Sequence, residues 1–84
     1  MSPLVLLSKP GCHLCKEMKA AVLPVLDELG LGLVERDVRD DPEDRRLYAT
    51  EIPVLLWDGA VVARHRITAD ALRSRLAELS SDPS

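Results

Sequence analysis

Leu4-Val5-Leu6-Leu7-Ser8-Lys9-Pro10-Gly11-Cys12-His13-Leu14-Cys15 is the stretch whose reading decides the fold. Its four consecutive apolar residues show no polar alternation. This predicts a strand over Pro3–Ser8 buried on both faces, as at the centre of a parallel sheet. Lys9-Pro10-Gly11 breaks the strand and forms a loop. Cys12 and Cys15 then open a helical pattern, and they are the chain's only cysteines. A helix N-terminus stabilises a thiolate, the reactive form of cysteine. Two sulfurs three residues apart at such a position can close and open a small disulfide. The stretch therefore points to thiol–disulfide chemistry.

Downstream, Leu14, Met18, Val22, Val25 and Leu29 recur at helical spacing, which predicts a helix to Leu29, kinked at Pro24 and stopped by Gly30. Leu31–Val38 reads as a second strand, parallel to the first through a right-handed crossover. Asp41-Pro42-Glu43-Asp44 is a helix opening with Asp41 as N-cap and acids in the first turn. That helix is short, ending near Ala49, with Leu47 and Tyr48 expected to anchor it. Val54–Trp57 and Ala60–Arg64 flank Asp58-Gly59, the pattern of a β-hairpin. Thr68 can cap a last helix with Leu72, Leu76 and Leu79 on one face. The order β-α-β-α-β-β-α describes an α/β fold, one mixed four-stranded sheet with helices on both faces. The reading gives one domain over residues 1–84, with 79–84 as a frayed tail.

Composition narrows the function. The 84 residues carry a net charge of −3 and are 46% hydrophobic, without phenylalanine, so the core is aliphatic. A chain of this size buries roughly 60% of the surface its unfolded form exposes. The acidic balance leaves no basic stripe for nucleic acid. No run is long enough to span a membrane and no leader pattern precedes Leu4. A cytoplasmic protein is expected, and there a cysteine pair is catalytic or metal-binding rather than structural. Lys9, Lys16 and Lys19 all fall near the cysteines, opposed only by Glu17, so residues 9–19 hold a balance of +2 against −5 elsewhere. Such a positive collar favours a thiolate at Cys12 and attracts anionic partners.

The element order, Ser8-Lys9-Pro10-Gly11-Cys12-His13-Leu14-Cys15, Ile52-Pro53-Val54 and the Asp58-Gly59 hairpin together resemble the thioredoxin fold. Within it the chain is most similar to the small glutaredoxins and bacterial glutaredoxin-like proteins, from Leu4 to Leu79. The resemblance implies that Cys12 is the nucleophile and Cys15 the resolving cysteine. It implies that Pro53 is a cis-proline facing them, although X–Pro bonds are cis only about 5% of the time in folded proteins. It also implies that the backbone of Ile52 pairs with the incoming substrate and that Lys9 lies near a glutathione carboxylate. Three features depart from the pattern. His13-Leu14 stands where glutaredoxins carry Pro-Tyr, the tryptophan that flanks the motif in thioredoxins is missing, and Arg64-His65-Arg66 replaces the usual glycine pair. Protein disulfides and glutathione both stay open as substrates. The resemblance implies no tightly bound cofactor, glutathione as co-substrate, and a monomer.

An ordinary cysteine, with a pKa of about 8.5, is only roughly 3% thiolate at pH 7. The helix terminus, Lys9 and His13 would raise that fraction at Cys12, and the thiolate would attack a partner disulfide that Cys15 then resolves. His13 reads equally as an exposed polar residue, His65 as part of a polar connection, and Arg64 and Arg66 as a solvated charge run or a carboxylate contact. Trp57 and Tyr48 read as packing residues. Two other classes compete with the enzyme. One is a soft-metal module using the two thiolates, although such folds end in a strand. The other is a thioredoxin-fold binding module without catalysis.

Overall fold

The structure is a computed structural model that describes residues 2–80. Its elements are β1 (Leu4–Ser8), α1 (His13–Leu29), β2 (Leu33–Asp37), α2 (Pro42–Tyr48), β3 (Val54–Trp57), β4 (Ala60–Arg64) and α3 (Ala69–Ser80). The strands form one sheet in the order β2-β1-β3-β4. β1 is parallel to β2 and antiparallel to β3, and β3 and β4 form an antiparallel hairpin. This is the expected α/β, thioredoxin-like arrangement. Among the described residues no helix is long and apolar enough to cross a membrane.

The unbroken apolar run of β1 has its reason in this topology. β1 is an inner strand with helices over both faces, so both sets of alternating side chains are buried. Leu4 and Leu6 join Leu55 and Trp57 of β3 in a core roofed by α1 and α3. On the opposite face Leu7, Val38, Val54 and Leu56 form a smaller core, against which Val5, Tyr48 and Ile52 pack. Burying a Leu or Val side chain contributes about 1.5–3 kcal/mol, so β1 and β3 supply much of the driving force.

Local chemistry sets the boundaries. The Asp41 carboxylate accepts the backbone N–H of Glu43 at 2.8 Å and of Asp44 at 3.3 Å. The Thr68 hydroxyl accepts that of Ala71 at 3.1 Å. Gly30, at φ 70°, ends α1 in a left-handed turn. The Leu31 N–H bonds the Leu26 carbonyl and the Gly30 N–H that of Asp27, so two otherwise orphaned carbonyls are satisfied. Asp58 and Gly59 both take positive φ, as the two-residue hairpin requires. Pro24 lies inside α1 without ending it.

Four expectations are corrected. The buried stripe of α1 is Cys15, Met18, Val22, Val25 and Leu26, and Leu29 is exposed. The stripe slips one position because a helix advances 100° per residue, and the last turn runs past its core contacts. Leu47 does not anchor α2. It is 45% exposed, whereas Asp44 is buried and pairs with Arg36 of β2 at 2.9 Å. Asp44 and Tyr48 lie four residues apart on the inward face, and Leu47 falls beside it. β2 is shorter than the predicted Leu31–Val38, since Val38 leaves the strand to enter the smaller core. Finally, α3 continues through Leu79 and Ser80, and the rest of the expected frayed tail lies outside the described residues.

Candidate active site

Ser8 ends β1, and the chain turns through Lys9–Gly11 into α1. Gly11 sits at φ 79°, a conformation that favours glycine. The turn leaves Cys12 as the N-cap of α1, in extended backbone, with its Sγ 3.1 Å from the Cys15 backbone N–H that donates to it. Cys12 and Cys15 form a disulfide with a Cα–Cα distance of 5.2 Å. The two sulfurs are unequal in access. Cys12 is half-buried at the mouth of the helix, whereas Cys15 is 3% exposed within the buried stripe.

No acid occupies the first turn of α1. Of the three lysines near the pair, Lys9 and Lys16 are exposed and make no ion pair among the described residues. Lys19 pairs with Glu35 at 2.9 Å, so its charge is largely matched. Glu35 also accepts the buried Ser8 hydroxyl at 3.2 Å. The Lys19 hydrogen bond holds the Glu35 carboxyl below its usual range, against the opposing effect of burial. Nearby, hydrogen bonds from the Arg39 guanidinium and backbone lower Asp37 to about 2. Both carboxylates thus stay ionised beside the cysteines at any ordinary pH. An open groove of about 490 Å³ runs along the disulfide, lined by Lys9, Cys12, Cys15, Lys16, Glu35 and Arg36 among others. His13 is almost fully exposed, with its ring 3.7 Å from Glu17.

The Ile52–Pro53 peptide is cis. Register places this link, because Leu7 pairs with Val54, and Pro53 therefore stands at the end of the sheet where β1 gives way to the Cys12 loop. Of the six residues singled out in the sequence, Lys9 and Cys12 lie on the β1–α1 connection, His13 and Cys15 in the first turn of α1, and Ile52 and Pro53 on the α2–β3 link. Sequence reading missed His65. His65 follows β4 at φ 65°, donates its backbone N–H to the Pro53 carbonyl at 2.8 Å, and places its ring 3.1 Å from Glu51. A left-handed backbone thus occurs where the resemblance led one to expect glycine. The residue type alone gave only a weak signal for it. Arg64 and Arg66 are exposed, and neither makes an ion pair among the described residues. Trp57 is a packing residue whose indole N–H donates to the Ser2 carbonyl at 3.0 Å. Among the described residues no three His, Cys, Asp or Glu side chains converge as a metal site would require.

Residues 3–77 match the profile of the Glutaredoxin-like domain (DUF836). The chain belongs to this glutaredoxin-like family. A comparison with curated proteins finds no match. Among solved structures, this glutaredoxin-like chain is similar to a structural-genomics target protein from X. campestris. The two are 26% identical over 95% of this chain and 99% of that one, with a TM-score of 0.64. It is also similar to a mutant of the thioredoxin-like protein BC3987, 27% identical over 92% and 97% of the two chains, with a TM-score of 0.58. Thioredoxin 1 from Thermosipho africanus shares the fold, at 15% identity over 95% and 99% of the chains and a TM-score of 0.60.

Proposed function

We propose that this glutaredoxin-like protein is a thiol–disulfide oxidoreductase in which Cys12 is the nucleophile and Cys15 the resolving cysteine. The observation that carries the reading is the placement of the pair. Cys12 caps α1 with its sulfur toward a helix N-terminus, and Cys15 sits one turn along, buried behind it. The N-terminal dipole and the Cys15 N–H favour negative charge at Cys12 Sγ, and Lys9 and Lys16 add to that field.

In the reducing direction the Cys12 thiolate attacks one sulfur of a substrate disulfide and forms a mixed disulfide. The other substrate sulfur leaves as a thiolate and takes up a proton. Cys15 then loses its proton and attacks Cys12 Sγ, which closes the internal disulfide and releases the second substrate thiol. The substrate gains two electrons and two protons, and the Cys12–Cys15 dithiol loses them. A thiol donor, glutathione or a reduced protein dithiol, restores the dithiol. Lys9 attracts an anionic substrate group, His13 flanks the approach to Cys12, and Ile52 and Pro53 meet the substrate from the same end of the sheet. The protein works as a cytoplasmic monomer on a disulfide-containing protein or a glutathione mixed disulfide, with no tightly bound cofactor.

Turnover of insulin and of a glutathionylated peptide, set against a Cys12→Ser variant, tests this. The wild type is expected to reduce at least one of them, and the variant to fall to the uncatalysed rate. A wild-type rate no higher than the variant's on both substrates would mean a binding module instead.

A further inference from the structure

Glu51, Ile52 and Pro53 link α2 to β3, and a single residue from beyond β4 holds both ends of that link. His65 donates its backbone N–H to the Pro53 carbonyl at 2.8 Å, and its Nε2 lies 3.1 Å from Glu51 Oε2. The Glu51 N–H is itself tied back to the Tyr48 carbonyl at 2.8 Å. Ile52, between the two held residues, has its side chain on the smaller core. It makes no hydrogen bond with any other described residue. An unpartnered backbone amide and carbonyl next to a strand end are the groups with which an extended peptide pairs.

The conformation of His65 makes the double hold work. At φ 65° the chain turns back over the link, so backbone and side chain of one residue reach its two ends together. A left-handed backbone is unfavourable for a non-glycine residue, and the surrounding contacts must offset it. Glycine would adopt this backbone freely but could not reach Glu51.

We propose that His65 is a positioning residue that sets substrate class. It clasps the Glu51–Pro53 link so that the Ile52 backbone is presented for strand-like pairing, and so favours disulfides carried on an extended peptide over small disulfides. The inference rests on the oxidoreductase reading above. A small disulfide has no peptide backbone to pair, so its reaction reports the sulfur chemistry without the clasp.

The test compares kcat/KM for a disulfide-bonded peptide with kcat/KM for hydroxyethyl disulfide, in wild type, His65→Gly, Glu51→Ala and His65→Gln. Glutamine places an amide N–H where the imidazole Nε2 lies, within reach of Glu51. The ratio of peptide to small-disulfide efficiency is expected to fall about two- to fivefold in His65→Gly and in Glu51→Ala, mainly through KM, as loss of one solvent-exposed hydrogen-bonded pair would give. His65→Gln should restore most of it. An unchanged ratio in both loss variants would overturn the proposal and leave the oxidoreductase reading intact. If wild type turned over neither substrate, the oxidoreductase reading would fail and take this proposal with it. Glu51→Ala leaves the His65 backbone as it is, so the test stands even if His65→Gly folds poorly.

Discussion

Cys12 Sγ receives the Cys15 amide at 3.1 Å, and the helical backbone that presents this donor is set before any chemistry begins. Asp37 is defined in the same way, by what donates to it. Its two carboxylate oxygens take the Arg39 guanidinium at 3.0 and 2.7 Å, and the Arg39 N–H bonds one of them at 2.8 Å. Its folded value of about 2 lies below the ordinary 3.8, so the native state binds fewer protons there than the unfolded chain. The resulting stability is complete above about 3.8 and is lost as pH falls toward about 2. Thermal unfolding should therefore find Asp37→Asn less stable than wild type at neutral pH, with the gap closing across that acid window. A gap that persists at pH 2 would show that the carboxylate charge is not its source. Much of this scale was legible in the sequence. Cys-x-x-Cys after a strand–loop fixes the place of both sulfurs. The matching of Lys19 by Glu35 was not legible, because those residues are 16 apart and meet only once β2 lies beside β1. His65 was hidden for the same reason, since its partners Glu51 and Pro53 reach it through the β3–β4 pairing.

Elements end where side chains satisfy their exposed backbone groups, which is why the caps could be read without a structure. Asp41, Gly30 and Thr68 each act within three residues of their own position, and local chemistry suffices to place them. Thr68→Ala removes the acceptor for the Ala71 N–H and should destabilise the protein by about 1 kcal/mol in denaturant unfolding, while Thr68→Ser should cost little. Equal losses in both variants would mean that the methyl group, not the cap, matters. Faces were harder to read than ends. The stripe expected of α1 included Leu29, yet the buried one runs through Cys15 and Leu26. Periodicity gives a direction to within about a residue, and only the sheet beneath decides which neighbour is covered. The burial of Cys15 follows from this slip. Cys15 is a core residue of the helix that carries it.

At the scale of the whole molecule, two strands buried on both faces hold the two halves of the site in register. β1 leads to the Cys12 loop, β3 follows Pro53, and their pairing brings both to one end of the sheet. Leu55, fully buried at the centre of β3, belongs to this frame, whereas Leu47 lies exposed on α2. Leu55→Ala should cost about 2–5 kcal/mol in unfolding free energy. Leu47→Ala should change it by no more than about 0.5 kcal/mol. Comparable effects at the two positions would contradict the assignment of the core. The overall architecture was readable because an 84-residue chain with one unbroken apolar run, one hairpin signal and three capped helices admits few arrangements.

The central claim is that one sulfur is kept ionised at the start of α1 while its partner waits beneath. Alkylation of the fully reduced protein by iodoacetamide at neutral pH, followed site by site by mass spectrometry, addresses it most directly. Cys12 should be modified first, and several times faster than free glutathione under the same conditions, with Cys15 far behind. Modification of Cys12 at or below the rate of glutathione, or of Cys15 before Cys12, would contradict the account.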